Sequence, residues 1–319
     1  MNPDRAHQDA ARELLESIRL SPSDIDNRCE QALSRAYWKS LVPTLDVESL
    51  GAADLAVTAN FDAAVCSGLA GRFAEEGYFQ LAPLVQPAVL DRMRAAVTTV
   101  ERAGWPPVFA WVYDQFWRLP RAQGLVNLFS AILGPDYRQT PNIWTHVVPG
   151  NRGATGWVPH VDHLGTGTRL TVWIPLSDAT VDSGCMCVLP KHLVPRRLAG
   201  RWYETPTLEM KDAIRLIHAA RPLPAHAGSV LGWNAELLHW GGAREVSGDP
   251  RISFSMEFAA PGGDADSEEP ALAATDGTMP AFDVRLRTIA RGIVIYRESD
   301  LRGSRYLPLA ERLLPRPGH

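Results

Sequence analysis

Hydrophobic residues recur at helical spacing near the start of the chain. The residues with this spacing are Ala11, Leu14, Leu15 and Ile18. The run from Ser21 to Asp24 combines a proline with two serines, which is typical of the end of one helix and the N-cap of the next. The pattern therefore predicts helices over residues 8–40, within an N-terminal helical extension that covers residues 1–60.

A change of pattern near residue 61 marks a second region. Helical spacing continues up to Gly77, and the residues after this glycine have the pattern of a short strand. The segment from Pro87 to Ala103 then has the period of an amphipathic helix. We assign residues 61–319 to one domain.

Short apolar runs dominate the middle of this domain, separated by clusters of Gly, Pro and Asp that favour turns. The runs are Ile143 to Val148, Leu170 to Leu176, Cys185 to Leu189, Ser229 to Trp233 and Ile252 to Phe258. Several short strands in succession are typical of a jelly roll or small barrel. The pattern predicts an α+β protein with a mainly β core over about residues 139–260, flanking helices, and a final helix or strand after Pro280.

Composition limits the kind of partner that the chain can bind. It has 319 residues, of which 45% are hydrophobic and 21% are charged, as in ordinary globular proteins. A formal net charge of -4 and a pI near 6.1 give no basic surface for nucleic acid or for an anionic membrane. We therefore expect a small-molecule substrate, while the sequence indicates no particular oligomeric state.

The distribution of charges and cysteines favours a cytoplasmic location. Charged residues interrupt the start of the chain, so no secretory signal is expected, and no apolar run reaches the roughly 18 residues of a membrane-spanning helix. The cysteines are too few and too scattered for a disulfide framework, which favours a reducing compartment. They are Cys29, Cys66, Cys185 and Cys187.

His160 and Asp162 form a His-x-Asp pair just before an apolar run. Residues i and i+2 of an extended segment point to the same side, so this imidazole and carboxylate can reach one metal ion. His239 follows another strand-like run and can supply a third ligand. Two histidines and one carboxylate form the facial triad of non-haem iron(II) oxygenases, which leaves metal positions open for other ligands. The sequence therefore predicts a metal site made of these three residues.

The segment from Arg251 to Phe258 alternates polar and apolar residues. Its polar positions are Arg251, Ser253, Ser255 and Glu257. A solvated polar face would make this an ordinary amphipathic strand. If that face lines a cavity, Arg251 can hold a carboxylate through paired charge-assisted hydrogen bonds, and Ser253 can add a hydroxyl donor. The distal carboxylate of 2-oxoglutarate fits this role.

These residues, in this order, resemble the phytanoyl-CoA dioxygenase family of iron(II)- and 2-oxoglutarate-dependent oxygenases. The likeness covers about residues 61–260 and includes segments outside the predicted metal site. These segments are Glu76 to Phe79, Thr171 to Leu176 and Ser183 to His192. The chain departs from the family pattern at Ser183, where asparagine is usual, and at Lys191 and His192, where Gly-Ser-His is usual.

The resemblance implies a double-stranded β-helix of the cupin-like jelly-roll type, with Fe(II), 2-oxoglutarate and dioxygen as cofactors and co-substrates. It also implies that Trp173 walls the 2-oxoglutarate pocket and that Asn142 hydrogen-bonds the co-substrate. Related halogenases replace the metal-binding carboxylate by a small residue, whereas this chain keeps Asp162. We therefore expect hydroxylation of a small metabolite, such as an amino acid or a natural-product intermediate, with release of succinate and carbon dioxide. Desaturation, cyclisation or epoxidation would use the same oxidant.

Several residues near these motifs have two interpretations each. Cys185 and Cys187 with His192 could bind zinc, but strand alternation more simply makes both thiols small core residues. His163 could contact substrate or a loop, and His146 could line the pocket or be a hydrogen-bonded core histidine. The aromatic cluster between Trp105 and Trp117 is typical of core packing, with a lid or substrate wall as the alternative.

Two other functions compete with the oxygenase. One is a metal-binding jelly-roll protein that isomerises or binds a ligand without oxygen chemistry. Arg251 argues against it, because 2-oxoglutarate explains this residue best. The other is an inactive family member that serves as a binding module, which is disfavoured by the complete set of predicted metal ligands together with Arg251.

Overall fold

The computed structural model describes residues 20–48, 61–194, 209–262, 272–273 and 278–315. Within the predicted N-terminal extension, the chain forms helices α1 (Pro22–Leu33) and α2 (Arg35–Leu41). Ser21 caps α1 as predicted, since its hydroxyl accepts the backbone N–H of Asp24 at 3.1 Å. The helix predicted from residue 8 lies outside the described residues up to residue 19, and the domain boundary at residue 60 stays a prediction.

Four helices and one strand precede the β core, and they confirm the predicted helix after Pro87. They are α3 (Ala63–Glu76), β1 (Tyr78–Leu81), α4 (Pro87–Arg102), α5 (Asp114–Arg118) and α6 (Gln123–Leu133), with 3-10 turns at Pro107–Val112 and Leu119–Arg121. Gly77 ends α3 in a left-handed conformation with φ of 86°, which a residue with a Cβ rarely adopts. The helix therefore stops at the position from which β1 enters the sheet.

The central part of the chain forms two antiparallel sheets. The strands are β2 (Arg138–Val148), β3 (Arg169–Pro175), β4 (Met186–Val188), β5 (Arg221–Leu223), β6 (Val230–Asn234), β7 (His239–Gly241), β8 (Arg251–Ala259) and β9 (Leu272–Ala273). The larger sheet has the order β1-β6-β3-β8-β2-β9, and the smaller one has the order β5-β4-β7. Each of the five predicted apolar runs is confirmed as a strand, with ends that differ by up to five residues.

Helices flank these sheets and form the last part of the chain that the structure describes. They are α7 (Met210–Ala219), α8 (Phe282–Ile295), α9 (Leu301–Ser304) and α10 (Leu307–Leu313), with a further 3-10 turn at Lys191–Leu193. The final element, predicted as a helix or a strand, is thus helical. Among the described residues, no helix combines the length and the apolar character needed to cross a membrane.

The main hydrophobic core lies between the larger sheet and the helices. The aromatic cluster between Trp105 and Trp117 is buried there, and Trp111 and Phe116 pack against Phe254 of β8 at ring distances of 5.6 and 5.1 Å. This confirms the core-packing interpretation of the cluster. The opposite face of β8 is therefore left to line the space between the two sheets.

Candidate metal and co-substrate site

Backbone pairing brings the two predicted histidine ligands together. His160 and His239 exchange two backbone hydrogen bonds of 3.0 Å, so the loop that carries His160 extends the smaller sheet beside β7. The backbone N–H of Asp162 donates to Ala235 at 2.8 Å. The His-x-Asp segment is therefore fixed by main-chain contacts, and its side chains share one side as the spacing predicts.

The donor atoms of His160, Asp162 and His239 converge on one point. Oδ1 of Asp162 lies 3.5 Å from Nε2 of each histidine, and the three donor atoms all lie within 4.8 Å of one another. Nδ1 of each histidine bonds a backbone carbonyl, that of Val158 at 2.7 Å and that of Leu237 at 2.9 Å. Nδ1 then carries the proton, and both Nε2 lone pairs face the shared point.

The second oxygen of Asp162 is held by two donors. The hydroxyl of Thr171 donates to Oδ2 at 2.7 Å, and the indole N–H of Trp233 donates to the same atom at 3.0 Å. The Trp233 ring also packs against His239, with ring centroids 4.6 Å apart. These contacts orient the carboxylate and direct Oδ1 to the histidines, as is usual around protein metal sites.

The electrostatics of Asp162 and His239 fit a divalent metal ion. At His160 burial lowers the pKa, but the neighbouring Asp162 outweighs it and raises the pKa, so a metal ion bound there would displace a proton. Burial opposes ionisation of Asp162, but the neighbouring His239 and His160 outweigh it and hold the pKa of this carboxyl well below its usual range. Burial lowers the pKa of His239, which favours the neutral imidazole that binds metal. Nε2 of His160 is buried and has no hydrogen-bond partner in the part of the chain that the structure describes. One carboxylate and two imidazoles, one of them with an unpartnered donor atom, form a ligand set suited to Fe(II).

A cavity of about 400 Å³ opens onto this point and extends between the two sheets. Its size is within the range of small-molecule sites. Trp173 lines the cavity, as the resemblance implies, and so does Asn142. Asn142 donates to Oε1 of Glu257 at 3.0 Å, so its amide is already engaged by a buried carboxylate.

Arg251 lines the same cavity and is buried, and its Nε and Nη1 have no hydrogen-bond partner among the described residues. Gly156 and Gly241 make room for it, since a Cβ on either would lie 2.7 or 3.0 Å from Nη2. Burial lowers the pKa of Arg251 to about 10, so the guanidinium stays charged at neutral pH. Buried N–H groups of a charged guanidinium are costly when they have no acceptor, so these two nitrogens make Arg251 suited to an anionic ligand.

The polar face of β8 points inward along its length. Arg251, Ser255 and Glu257 line the cavity, whereas Ser253 is fully buried beside them and its hydroxyl has no partner among the described residues. The alternation predicted for this strand is thus that of a cavity wall. The assignment of Ser253 as a co-substrate donor stays a prediction.

Some lining residues carry no signal in the sequence pattern. Trp157 lies in the loop after β2, and its ring is 5.5 Å from that of His160. Tyr296 lies just after α8, with its ring 5.0 Å from Trp157 and 4.9 Å from Trp144. The proximity of Trp157 to the His-x-Asp motif could have indicated its role. Tyr296 is too distant in sequence for any local pattern to place it.

The structure shows where the residues with two interpretations lie relative to the cavity. His146 lines the cavity and bonds the hydroxyl of Ser255 at 3.0 Å, and burial lowers its pKa to about 3, so it is uncharged. His163 is not among the lining residues.

Cys187 hydrogen-bonds the Cys185 thiol and lowers its pKa to about 7. Among the described residues, His160, Asp162 and His239 are the single group placed to share a metal ion, so Cys185, Cys187 and His192 do not form a second one.

Comparison with known proteins agrees with this geometry. Residues 109–253 match the model of the family described as phytanoyl-CoA dioxygenase (PhyH), which confirms the resemblance over this segment. No curated protein sequence gives a significant match. The matched family and the three converging side chains together support a 2-oxoglutarate-dependent oxygenase.

Solved structures share the architecture at low sequence identity. The non-heme monooxygenase ThoJ, in its apo form, is 18% identical with a TM-score of 0.54, covering 76% of this chain and 99% of its own. A ThoJ-Ni complex gives 16% identity and a TM-score of 0.53, covering 77% and 100%. The epimerase SnoN, in complex with Fe3+, alpha ketoglutarate and nogalamycin RO, gives 19% identity and a TM-score of 0.48, covering 63% and 86%. The likeness to ThoJ confirms the predicted double-stranded β-helix.

Proposed function

We propose that this chain, whose central segment matches a family of 2-oxoglutarate-dependent oxygenases, is an Fe(II)-dependent dioxygenase that hydroxylates a small metabolite. One observation carries the proposal: the three converging donor atoms open onto the same cavity as the guanidinium of Arg251, whose Nε and Nη1 have no hydrogen-bond partner among the described residues. A metal-binding protein without oxygen chemistry would have no use for a buried cation in the cavity that its metal ligands line.

Each residue of the site has a distinct task in this function. Nε2 of His160 and His239, with Oδ1 of Asp162, would hold the metal, and Thr171 and Trp233 keep the carboxylate oriented. Arg251 would bind the distal carboxylate of 2-oxoglutarate. The oxidising chemistry would come from Fe(II) held by these ligands, with dioxygen as the oxidant and 2-oxoglutarate converted to succinate and carbon dioxide. Trp173 and the neighbouring walls exclude water from the reacting atoms.

Hydroxylation is the outcome that the ligand set favours. Because Asp162 supplies a carboxylate ligand, the site lacks the vacant ligand position that would bind a halide in a related halogenase. The cavity of about 400 Å³ has to hold 2-oxoglutarate as well as the substrate, which favours an amino acid or a compact natural-product intermediate. Succinate and carbon dioxide would be released with each turnover.

An anaerobic titration tests the proposal. Addition of Fe(II) and then 2-oxoglutarate to the metal-free protein is expected to produce a weak visible charge-transfer band. His160→Ala should abolish the band because a metal ligand is lost. His163→Ala is the matched control, since this histidine lies near in sequence but does not line the cavity. Metal binding without any band on addition of 2-oxoglutarate would favour the alternative of a metal-binding protein without oxygen chemistry.

A further inference from the structure

Tyr296 has a fixed position on the wall of the cavity. It follows α8, and its carbonyl oxygen accepts the backbone N–H groups of Ser299 and Asp300 at 3.0 and 2.8 Å. The helix lies close to β2 because Gly292 has no Cβ, and a Cβ there would lie 3.0 Å from the carbonyl oxygen of Ile143. Packing of α8 on β2 therefore brings Tyr296 to the cavity, which it lines.

Two tryptophans hold the ring of Tyr296. Its centroid is 4.9 Å from that of Trp144 on β2 and 5.0 Å from that of Trp157. All three rings line the cavity, and Trp157 contacts the metal ligand His160 at a ring distance of 5.5 Å. Trp144, Trp157 and Tyr296 thus form an aromatic wall that ends beside the candidate metal site. Such a wall is suited to the apolar body of a ring-bearing molecule.

The hydroxyl of Tyr296 is a donor without an acceptor in the protein, since it forms no hydrogen bond with any of the described residues. Burial, together with the nearby carboxylates of Asp162 and Glu257, raises the pKa of Tyr296 well above its ordinary value. The phenol therefore keeps its proton at neutral pH. Because the influence of these carboxylates fades within about 10 Å, the hydroxyl lies at the metal end of the cavity.

The two nearby carboxylates are engaged elsewhere. Oδ1 of Asp162 is assigned to the metal, and its Oδ2 already accepts two hydrogen bonds. Glu257 forms an ion pair with the buried Arg169 at 2.7 Å. A buried tyrosine hydroxyl usually has a hydrogen-bond partner, and here an acceptor on a bound molecule would supply it.

We infer that the substrate carries an oxygen acceptor, such as a carbonyl, hydroxyl or ether group, that receives the hydrogen bond of Tyr296, and that its ring-bearing apolar body packs against the aromatic wall. This inference rests on the proposed function and specifies the chemistry of its substrate. Tyr296 lies beyond residues 109–253, the segment that matches the family, so the match does not assign this role. Tyr296 is then a specificity-determining residue, because its hydroxyl distinguishes an acceptor-bearing molecule from an apolar one of the same shape.

Two probes of similar shape test the inference. Acetophenone and ethylbenzene differ by a carbonyl group in place of a methylene group. Each is titrated anaerobically into the protein loaded with Fe(II) and saturating 2-oxoglutarate, and binding is followed by the visible charge-transfer band and by calorimetry. Tyr296→Phe should weaken acetophenone binding about fivefold, as expected for one neutral hydrogen bond, and should leave ethylbenzene binding unchanged. Comparing each probe with itself in the two proteins cancels the difference in hydration between the probes.

Two further variants separate the hydroxyl from the ring. Tyr296→Leu removes both and should weaken the binding of both probes. Tyr137→Phe is the matched control, because the Tyr137 hydroxyl also has no partner among the described residues, but this side chain is 1% exposed and does not line the cavity. It should change the affinity for neither probe. The charge-transfer band should form in all three variants, since none of them removes a residue assigned to the metal or to 2-oxoglutarate.

The outcomes separate the two proposals. If the band does not form with Fe(II) and 2-oxoglutarate in the unchanged protein, the proposed function fails. If the band forms but Tyr296→Phe weakens both probes equally or weakens neither, the inference about the substrate is overturned alone. Failure of acetophenone to bind at millimolar concentration would also overturn it, as would an equal loss of acetophenone binding in Tyr137→Phe.

Discussion

The hydroxyl of Thr171 donates a 2.7 Å hydrogen bond to Oδ2 of Asp162, and Oδ1 of the same carboxylate faces the two histidines. Thr171 belongs to β3 and Asp162 to the preceding loop, so the bond joins the sheet to the candidate metal site. Because one oxygen is engaged in this way, the other is left to bind a metal in a single orientation. The position of Thr171 in β3 therefore affects how tightly Asp162 and the two histidines bind a metal ion, and a substitution of Thr171 tests this.

Thr171→Val should weaken Fe(II) binding about tenfold, the lower end of the range for loss of a partner that orients a metal ligand. The Trp233 N–H keeps one bond to Oδ2, so binding should not be abolished. Anaerobic Fe(II) titration measures the change. Thr145→Val is the control, because Thr145 is buried in β2 and its hydroxyl has no partner among the described residues. Equal affinities in both variants would contradict the role given to Thr171.

Arg251→Lys should raise the KM for 2-oxoglutarate by about 10- to 100-fold, because lysine keeps the charge but loses the planar two-pronged contact. Fe(II) affinity should change little, since Arg251 is not a metal ligand. Succinate release at varied 2-oxoglutarate, with Fe(II) titration alongside, separates the two effects. Arg244→Lys makes the same change at a buried arginine that does not line the cavity. A similar rise in KM for both variants would show that the effect comes from a general disturbance of the fold and not from loss of the contact between Arg251 and 2-oxoglutarate.

Gly156→Ala should impair 2-oxoglutarate binding through its effect on Arg251. The added Cβ would lie 2.7 Å from Nη2 of Arg251 and 2.8 Å from Cα of Gly241, so the guanidinium or the loop must move. We expect a loss of about 1–3 kcal/mol of stability from this overpacking. Thermal unfolding and a 2-oxoglutarate titration provide the two measurements.

The matched control for this change is Gly71→Ala. Gly71 lies inside α3, and a Cβ there would meet open space, so alanine should stabilise the helix by up to ~1 kcal/mol. If Gly156→Ala bound 2-oxoglutarate as tightly as the unchanged protein, the close approach between these glycines and the guanidinium would have no part in ligand binding.

Arg285→Met should destabilise the fold by about 3 kcal/mol, because it leaves a buried carboxylate without its main partner. Nη1 of Arg285 contacts Oδ1 of Asp114 at 2.6 Å and the carbonyl of Val112 at 2.9 Å, and both charged side chains are 1% exposed. This pair joins α8, which leads to Tyr296, to the start of α5. Denaturant unfolding measures the loss.

Arg287→Met on the same helix is the control for that measurement. Its ion pair with Asp283 is nearly as short, at 2.7 Å, but lies at the surface, where such pairs contribute about 0–1 kcal/mol. Losses of similar size in the two variants would show that burial does not decide the strength of these pairs in this protein.

Much of the candidate site was predictable because it depends on local spacing. His160 and Asp162 share a side through the i, i+2 geometry of extended chain, and the alternation along β8 places Arg251 and Glu257 on one face. The strands themselves follow from short apolar runs bounded by turn residues. Hydrogen-bond partners such as Trp233 and the aromatic wall around Tyr296 have no such local signature, since they meet only after the sheets and helices pack.

The sequence by itself determined the types of metal ligand, their order along the chain and the strands that carry them, because side-chain chemistry and backbone periodicity are properties of neighbouring residues. Only the tertiary structure decided that His160, Asp162 and His239 face one point, that the polar face of β8 lines a cavity, and that Tyr296 lines the same cavity. The physical reason is that burial and long-range register depend on how separate elements pack, and no local pattern encodes the distance between residues so far apart in sequence.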